Sequence, residues 1–387
     1  MQKRKSDWGR DLIMVAVAVF VLNIGFMGIY MSIYNSFVAD EIGIEPTQLG
    51  IVESIRESPG FLSAFIAALT MQIPSPVLSG VVLLIMAVGI GALSQVHTVT
   101  ALTFWAVFWS VGFHCWAPLQ PAMVLSLTKD ERKGQRLGQM RRISNAAALL
   151  GMLIISFIGT HGIIRTMFIV SGFVIATAAF IIFSVSREKI HTKMPRLVMR
   201  RKYSLYYALM FLQGCRKQIF GTFAIFTLVR VYETRVNIVG RLMAVNKVVI
   251  LIFAPVVGRI VDTIGERKSL SICYSCLALI FLGYGLIHNR MALYVLYCLD
   301  NLVFMFSIAV TTYLNRIAPQ EDIRPTLSMG VTMDHVASVL VPVTGGLLWE
   351  AIGSYETIFF IGSAVAVISL VLVQYLKTQR DDETSQN

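Results

Sequence analysis

Gly258-Arg259-Ile260-Val261-Asp262-Thr263-Ile264-Gly265-Glu266-Arg267-Lys268 is a short polar interruption between two apolar runs, near 237 to 261 and 269 to 288. An acid at a helix end can face the positive N-terminus of a neighbouring helix, and two adjacent bases can form a breakable ion pair at a membrane rim. The interruption is one of many. Apolar segments long enough for a window of about 19 residues lie near 11 to 38, 47 to 70, 75 to 96, 99 to 127, 137 to 160 and 163 to 186. After a polar stretch they resume near 203 to 232, 237 to 261, 269 to 288, 291 to 317, 326 to 350 and 355 to 377.

The composition agrees. Of 387 residues 56% are hydrophobic and 14% charged, and mean hydropathy is +0.70, a balance that calls for a bilayer as solvent. The first run, from Leu12 to about Val38, is longer than a signal-peptide core and ends without a small-residue cleavage site, so it reads as a retained span. The net charge of +11 sits in connectors rather than on one soluble face, which argues for membrane topology and against nucleic acid. With both termini cytoplasmic, 24 of the 33 lysines and arginines fall in cytoplasmic segments, four (Arg165, Arg230, Arg235, Arg290) on the far side, and five inside spans. The five cysteines, Cys115, Cys215, Cys273, Cys276 and Cys298, lie in apolar runs and read as packing residues.

The basic connector at 187–202 divides two sets of six spans, 1–186 and 203–377, with a cytoplasmic tail at 378–387. At an offset of 190, Gly50 aligns with Gly240, Ala64 with Ala254, Glu131 with Glu321, Leu137 with Leu327 and Gly172 with Gly362. The expected fold is all-α, twelve transmembrane helices in two bundles related by a parallel repeat, an arrangement that places solute sites near the midplane.

The 258–268 stretch resembles the loop signature G-x-x-x-D-x-x-G-[RE]-[RK]-[RK] of the major facilitator superfamily. The resemblance implies a gate in which Gly258, Asp262, Gly265 and Arg267 form a latch biasing an outward-open state. The equivalent stretch of the first half, Ala68-Leu69-Thr70-Met71-Gln72-Ile73-Pro74-Ser75-Pro76, holds no acid and no base, which argues against symmetric gating. Pro342-Val343-Thr344-Gly345-Gly346 resembles the end of the family's P-x-x-G-G antiporter motif, but in the eleventh span instead of the fifth. A flexing role for Pro342 follows, and antiport does not.

Charges inside spans cost about 2.5–3.5 kcal/mol each on insertion scales, so they mark cavities or internal pairs. Glu53, Arg56 and Glu57 share a helical stripe with Gly60 and Ala64; the stripe is either an internal salt bridge or a proton-titrating acid tuned by Arg56. Arg216 and Lys217 in the seventh span either bind an anionic group or pair with an acid such as Glu53, Glu57 or Asp300. Arg241 and Lys247 are weaker candidates. Asp334 and His335 align with Ser144 and Asn145, and either relay protons or leave His335 as a satisfied histidine. Trp105, Trp109 and Trp116 with Phe113 and Gln120 form an aromatic face of the fourth span, facing solute or packing. Asn23, Asn35, His114, Asp300 and Asn301 add polar groups.

The expected site therefore comprises Arg216, Lys217, Arg56, Asn145 and Trp116 for substrate, with Glu53, Glu57, Asp334, His335 and Asp300 for proton coupling. No Walker loop, zinc motif, filter-like glycine run or nucleophile elbow occurs, so no enzyme, cofactor or metal site is expected. The expected function is ion- or proton-coupled secondary transport of a small anion by a monomer in the inner or plasma membrane. Efflux of amphipathic or cationic compounds is the first alternative, and a non-transporting membrane sensor or assembly partner the second.

Overall fold

Apolar runs of this length must satisfy their backbone internally in lipid, and they do so as α-helices. The computed structural model describes residues 8–61, 73–128, 132–159, 161–186 and 199–376. Lys3, Arg4, Lys5, Ala64, Glu131, the connector at 187–198, the Ala68 to Gln72 part of the first-half loop and the tail from 377 on lie outside them. The first six helices are α1 (Arg10–Glu41), α2 (Pro46–Glu57), α3 (Ser75–Gln95), α4 (Val99–Ser126), α5 (Lys133–Ile158) and α6 (Ile164–Phe183). α7 begins at Ser204–Gln218 and continues through π-helical Ile219–Ala224 to Ile225–Arg230. Then come α8 (Val236–Ile264), α9 (Glu266–Leu286), α10 (Arg290–Ile317), α11 (Gln320–Ile352) and α12 (Glu356–Val373).

Among the described residues, ten helices are long and apolar enough to cross a bilayer. α2 and α7, the latter carrying Arg216, Lys217 and Arg230, fall outside that set. α1 contains π-helical turns at Ile24–Tyr30 and Phe37–Glu41. Starts are set locally. Thr98 Oγ1 caps α4 by accepting from Ala101 N (3.2 Å), and Asn289 Oδ1 caps α10 by accepting from Met291 N and Ala292 N (3.0 and 3.1 Å). α11 ends on Gly353 in the left-handed conformation, φ 72°.

The chain forms two compact units. One holds the described residues within 8–43, 55–186 and 234–247, and the other those within 44–54, 199–233 and 248–376. In the second unit the start of α2 lies directly on α11. A side chain at Gly50 would strike the Pro342 carbonyl, and one at Gly346 would strike the Pro46 carbonyl. Ser54 Oγ accepts from Val343 N (3.1 Å), and Thr47 Oγ1 donates to the Gly346 carbonyl (3.2 Å). In the first unit Gly240 of α8 sits against Ser156 and Ile155 of α5, and Ala244 packs with Ala148 and Met152. Small residues permit these approaches, which are the main source of helix association in lipid.

The turn between α8 and α9 depends on Gly265, whose φ of 79° and ψ of 166° lie in a region essentially restricted to glycine. Gly265→Ala is expected to cost about 1–3 kcal/mol in thermal unfolding of the purified protein. An unchanged unfolding temperature would show that the turn relaxes.

Candidate functional site

In the first unit three polar groups converge where α2 meets α4. Arg56 Nη2 donates to Glu57 Oε1 (2.8 Å), and the other Glu57 oxygen lies 3.8 Å from His114 Nε2. Ser110 Oγ donates to the Arg56 carbonyl (2.5 Å), and the Arg56 guanidinium stands 5.5 Å from the Trp109 ring centre. All three charged side chains are at most 15% exposed. A carboxylate between a fixed cation and an imidazole can exchange protons without leaving a bare buried charge. Glu53 is buried, on the part of α2 that belongs to the second unit.

The aromatic face of α4 divides by depth. Trp105 packs edge-on against Phe104 and Phe108, and Trp109 is buried against Phe26 and Tyr30. Trp116, Phe113 and Gln120 line a cavity of about 220 Å³ with Asn23, Phe26 and Ser144. Ser144 lines it and its expected neighbour Asn145, half-buried, does not, because adjacent positions on a helix point about 100° apart. Asn23 Nδ2 donates to the Val19 carbonyl (2.8 Å) and to Ser144 Oγ (3.4 Å). Pro118 and Pro121 inside α4 deprive the carbonyls of His114 and Ala117 of their usual donors.

In the second unit both cations of α7 sit in ion pairs. Arg216 is bonded to Asp300 of α10, with both side chains at most 5% exposed, and its guanidinium lies 4.0 Å from the Phe304 ring centre and 5.2 Å from that of Phe220. Lys217 Nζ donates to Asp334 Oδ2 (2.8 Å), with Lys217 51% and Asp334 19% exposed. An ion pair open to this degree calls for a polar surrounding rather than lipid. Asp334 thus meets Lys217. His335, the adjacent residue, is half-buried. Arg241 is exposed and Lys247 half-buried.

The latch residues are arranged differently from the arrangement that the resemblance implies. Asp262 is exposed and, among the described residues, has neither ion pair nor hydrogen bond, while Glu266 pairs with Arg316 of α10 (3.4 Å). Gly258 has open space where a side chain would begin, and Pro342 serves the α2–α11 contact.

The sequence reading missed Asp322. This residue, 1% exposed in the first turn of α11, accepts from Lys202 Nζ (2.7 Å) and Tyr203 Oη (2.8 Å) on Oδ2, while its other oxygen stands in an ion pair with Arg200 Nη2 (2.9 Å). Its place near a helix N-terminus adds the dipole's support, and its hydrogen bond raises the Lys202 ammonium above the ordinary lysine value. Asp322→Asn is expected to loosen residues 199–203. Trypsin should then cut at Arg200, Arg201 or Lys202 several-fold faster in limited proteolysis, and an unchanged rate would mean that the cluster holds nothing in place.

The sequence matches the profile of the Major Facilitator Superfamily over residues 15–323 and again over 206–387. The chain belongs to the major facilitator superfamily. No curated protein sequence matches it. Among solved structures it is similar to a mutant of the nucleoside transporter NupG, at a TM-score of 0.80 and 11% identity, covering 95% of this chain and 99% of that one. A bacterial homologue of the human lysosomal transporter Spinster, inward-facing and occupied, gives 0.73 and 11%, covering 97% and 99%. A mutant of the peptide transporter POT in complex with sulfate gives 0.71 and 15%, covering 94% of each. At such identities the likeness is one of fold. This superfamily member is a multi-pass membrane transporter and not an enzyme.

Proposed function

We propose that this superfamily member is a proton-coupled secondary transporter that moves a small organic solute by alternating access. It has twelve spans in two six-helix bundles, 1–186 and 203–377, and both termini lie in the cytoplasm, as the lysine and arginine distribution favours. It acts as a monomer in the cell membrane. The observation that carries the coupling is the pairing of in-span carboxylates with cations, Glu57 with Arg56 and Asp334 with Lys217. Protonating either acid frees its cation, so proton binding and rearrangement are linked.

Arg216 is paired with Asp300 and enclosed by aromatic rings, and Lys217 is neutralised by Asp334, so the preference for an anion loses its support. The aromatic cavity beside α4 supports an organic solute instead, and it suits export of amphipathic compounds as well as uptake. Protein reconstituted in liposomes tests the reading. Counterflow of a bound solute, with accumulation driven by an imposed pH gradient, is expected. Glu57→Gln or Asp334→Asn should keep counterflow and lose the pH-driven component. Binding without counterflow would favour a sensor, and accumulation indifferent to the pH gradient would remove the proton.

A further inference from the structure

The cavity of the first unit has an unusual complement of side chains for a transporter with so many in-span charges: none of its ten lining residues carries a charge. Its walls are Phe26, Phe113 and Trp116, two methionines, small apolar groups and three polar side chains. A charged solute placed there would be desolvated without a counter-ion, which is far more costly than burying an uncharged one. A purely apolar solute would waste the polar groups. Trp116 is 6% exposed, and among the described residues its indole N–H has no hydrogen-bond partner. The Gln120 amide likewise has none, and Asn23 commits its N–H₂ to Val19 and Ser144, leaving its carbonyl oxygen without a donor. The Trp116 indole N–H is a donor and the Gln120 amide offers a donor and an acceptor, so each can pair with a ring substituent, while Asn23 adds an acceptor alone.

Size limits the choice further. A volume of about 220 Å³ is below the range of about 300–1,000 Å³ for drug-sized ligand pockets, so the cavity matches one small ring system. Phe26 and Phe113 stand 5.1 Å apart with planes tilted by 37°, and Trp116 adds a third aromatic surface, which favours a flat solute.

We infer that this chamber takes an uncharged, planar aromatic or heteroaromatic solute, with a ring acceptor on the Trp116 indole N–H and an amide-like edge on Gln120. The inference rests on the reading of the protein as a transporter and names the class of its cargo. Glu57 and His114 lie outside the lining, so the proton site and the cargo site are separate and the cargo itself need not titrate.

The test uses the full chain in detergent and sets of small rings of equal size but different charge: nicotinamide, nicotinate and 3-(aminomethyl)pyridine, then benzyl alcohol, benzoate and benzylamine. Binding is read as a concentration-dependent rise in unfolding temperature. The neutral member of at least one set should stabilise the protein while its charged counterparts do not. Trp116→Phe, which keeps a ring and removes the N–H, should weaken that binding about three- to tenfold, the value of one hydrogen bond. Gln120→Leu gives a second reading at a half-buried position, and Trp105→Phe should leave affinity unchanged. Equal or better binding of a charged member, no binding by any neutral member, or affinity indifferent to both Trp116→Phe and Gln120→Leu overturns the inference. A charged ligand that binds and is carried in counterflow sinks the cargo class and leaves the transporter reading standing. A neutral ligand that binds through Trp116 but is never carried leaves the cavity's ligand class standing and removes the transporter reading.

Discussion

Asp300→Ala is expected to lower stability by about 3–5 kcal/mol, the effect of stranding one member of a buried ion pair. Arg216 and Asp300 are 5% and 1% exposed, so water cannot replace the lost carboxylate. The Phe304, Phe220 and Phe281 rings around the guanidinium would offset only part of the loss, since a cation over an aromatic face contributes about 0.5–2 kcal/mol and those contacts already exist in the parent. Replacing both partners, Arg216→Met with Asp300→Leu, should recover most of the stability, because a packed apolar pair carries no desolvation cost. Thermal unfolding of purified protein reads both variants. If Asp300→Ala unfolds at the parent's temperature, the pair is not structural and Arg216 becomes a solute ligand candidate again. Lys217→Ala makes the useful contrast. Its half-exposed pair should contribute about 0–1 kcal/mol to stability, so a large loss of transport there would be a functional effect.

Gly50→Val is expected to cost about 1–3 kcal/mol through overpacking and to reduce counterflow at least tenfold. The obstacle is the Pro342 carbonyl, a backbone atom that cannot rotate away. Nor can α2 simply slide, because one turn earlier Pro46 presses on Gly346 in the reciprocal sense and Ser54 holds Val343 N. Gly240→Val should be milder, since the nearest atoms to its new carbon lie at 3.1–3.2 Å. Gly258→Ala, with nothing within 4 Å, is the control, and should be neutral or gain up to about 1 kcal/mol from better helix propensity. A Gly50→Val variant as stable and as active as Gly258→Ala would refute the close-contact argument.

The long helices were legible because lipid makes hydrophobic length a direct constraint. α5 and α11 begin four to six residues before their apolar runs, at Lys133 and Gln320, because a hydropathy window trims polar first turns that hydrogen bonding keeps helical. Charge cost singles out Arg216, Lys217, Asp300 and Asp334, and Asp300 is among the partners that the sequence offers Arg216, whereas the Lys217–Asp334 pair joins residues 117 positions apart with no visible signal. Trp116 and Gln120 were readable from helical spacing. Repeat alignment points to Asn145 where Ser144 lines the cavity, and one residue is enough to turn a side chain out of it. Asp322 gave no signal at all. In a polar connector it looks like its neighbour Glu321, and only burial separates them.

The π-helical turns of α1 and α7 have a consequence for how these helices tolerate length changes. A wide turn of this kind stores a surplus residue inside an otherwise regular helix. Losing one residue within Ile24–Tyr30 can be absorbed by tightening to ordinary α geometry, with both flanks keeping their orientation. The same loss at Leu12–Leu22 would swing every earlier side chain about 100° around the axis relative to the rest. Single-codon deletions scanned along α1 should therefore reveal a permissive window at the wide turns, flanked by positions where loss of one residue scrambles the buried face.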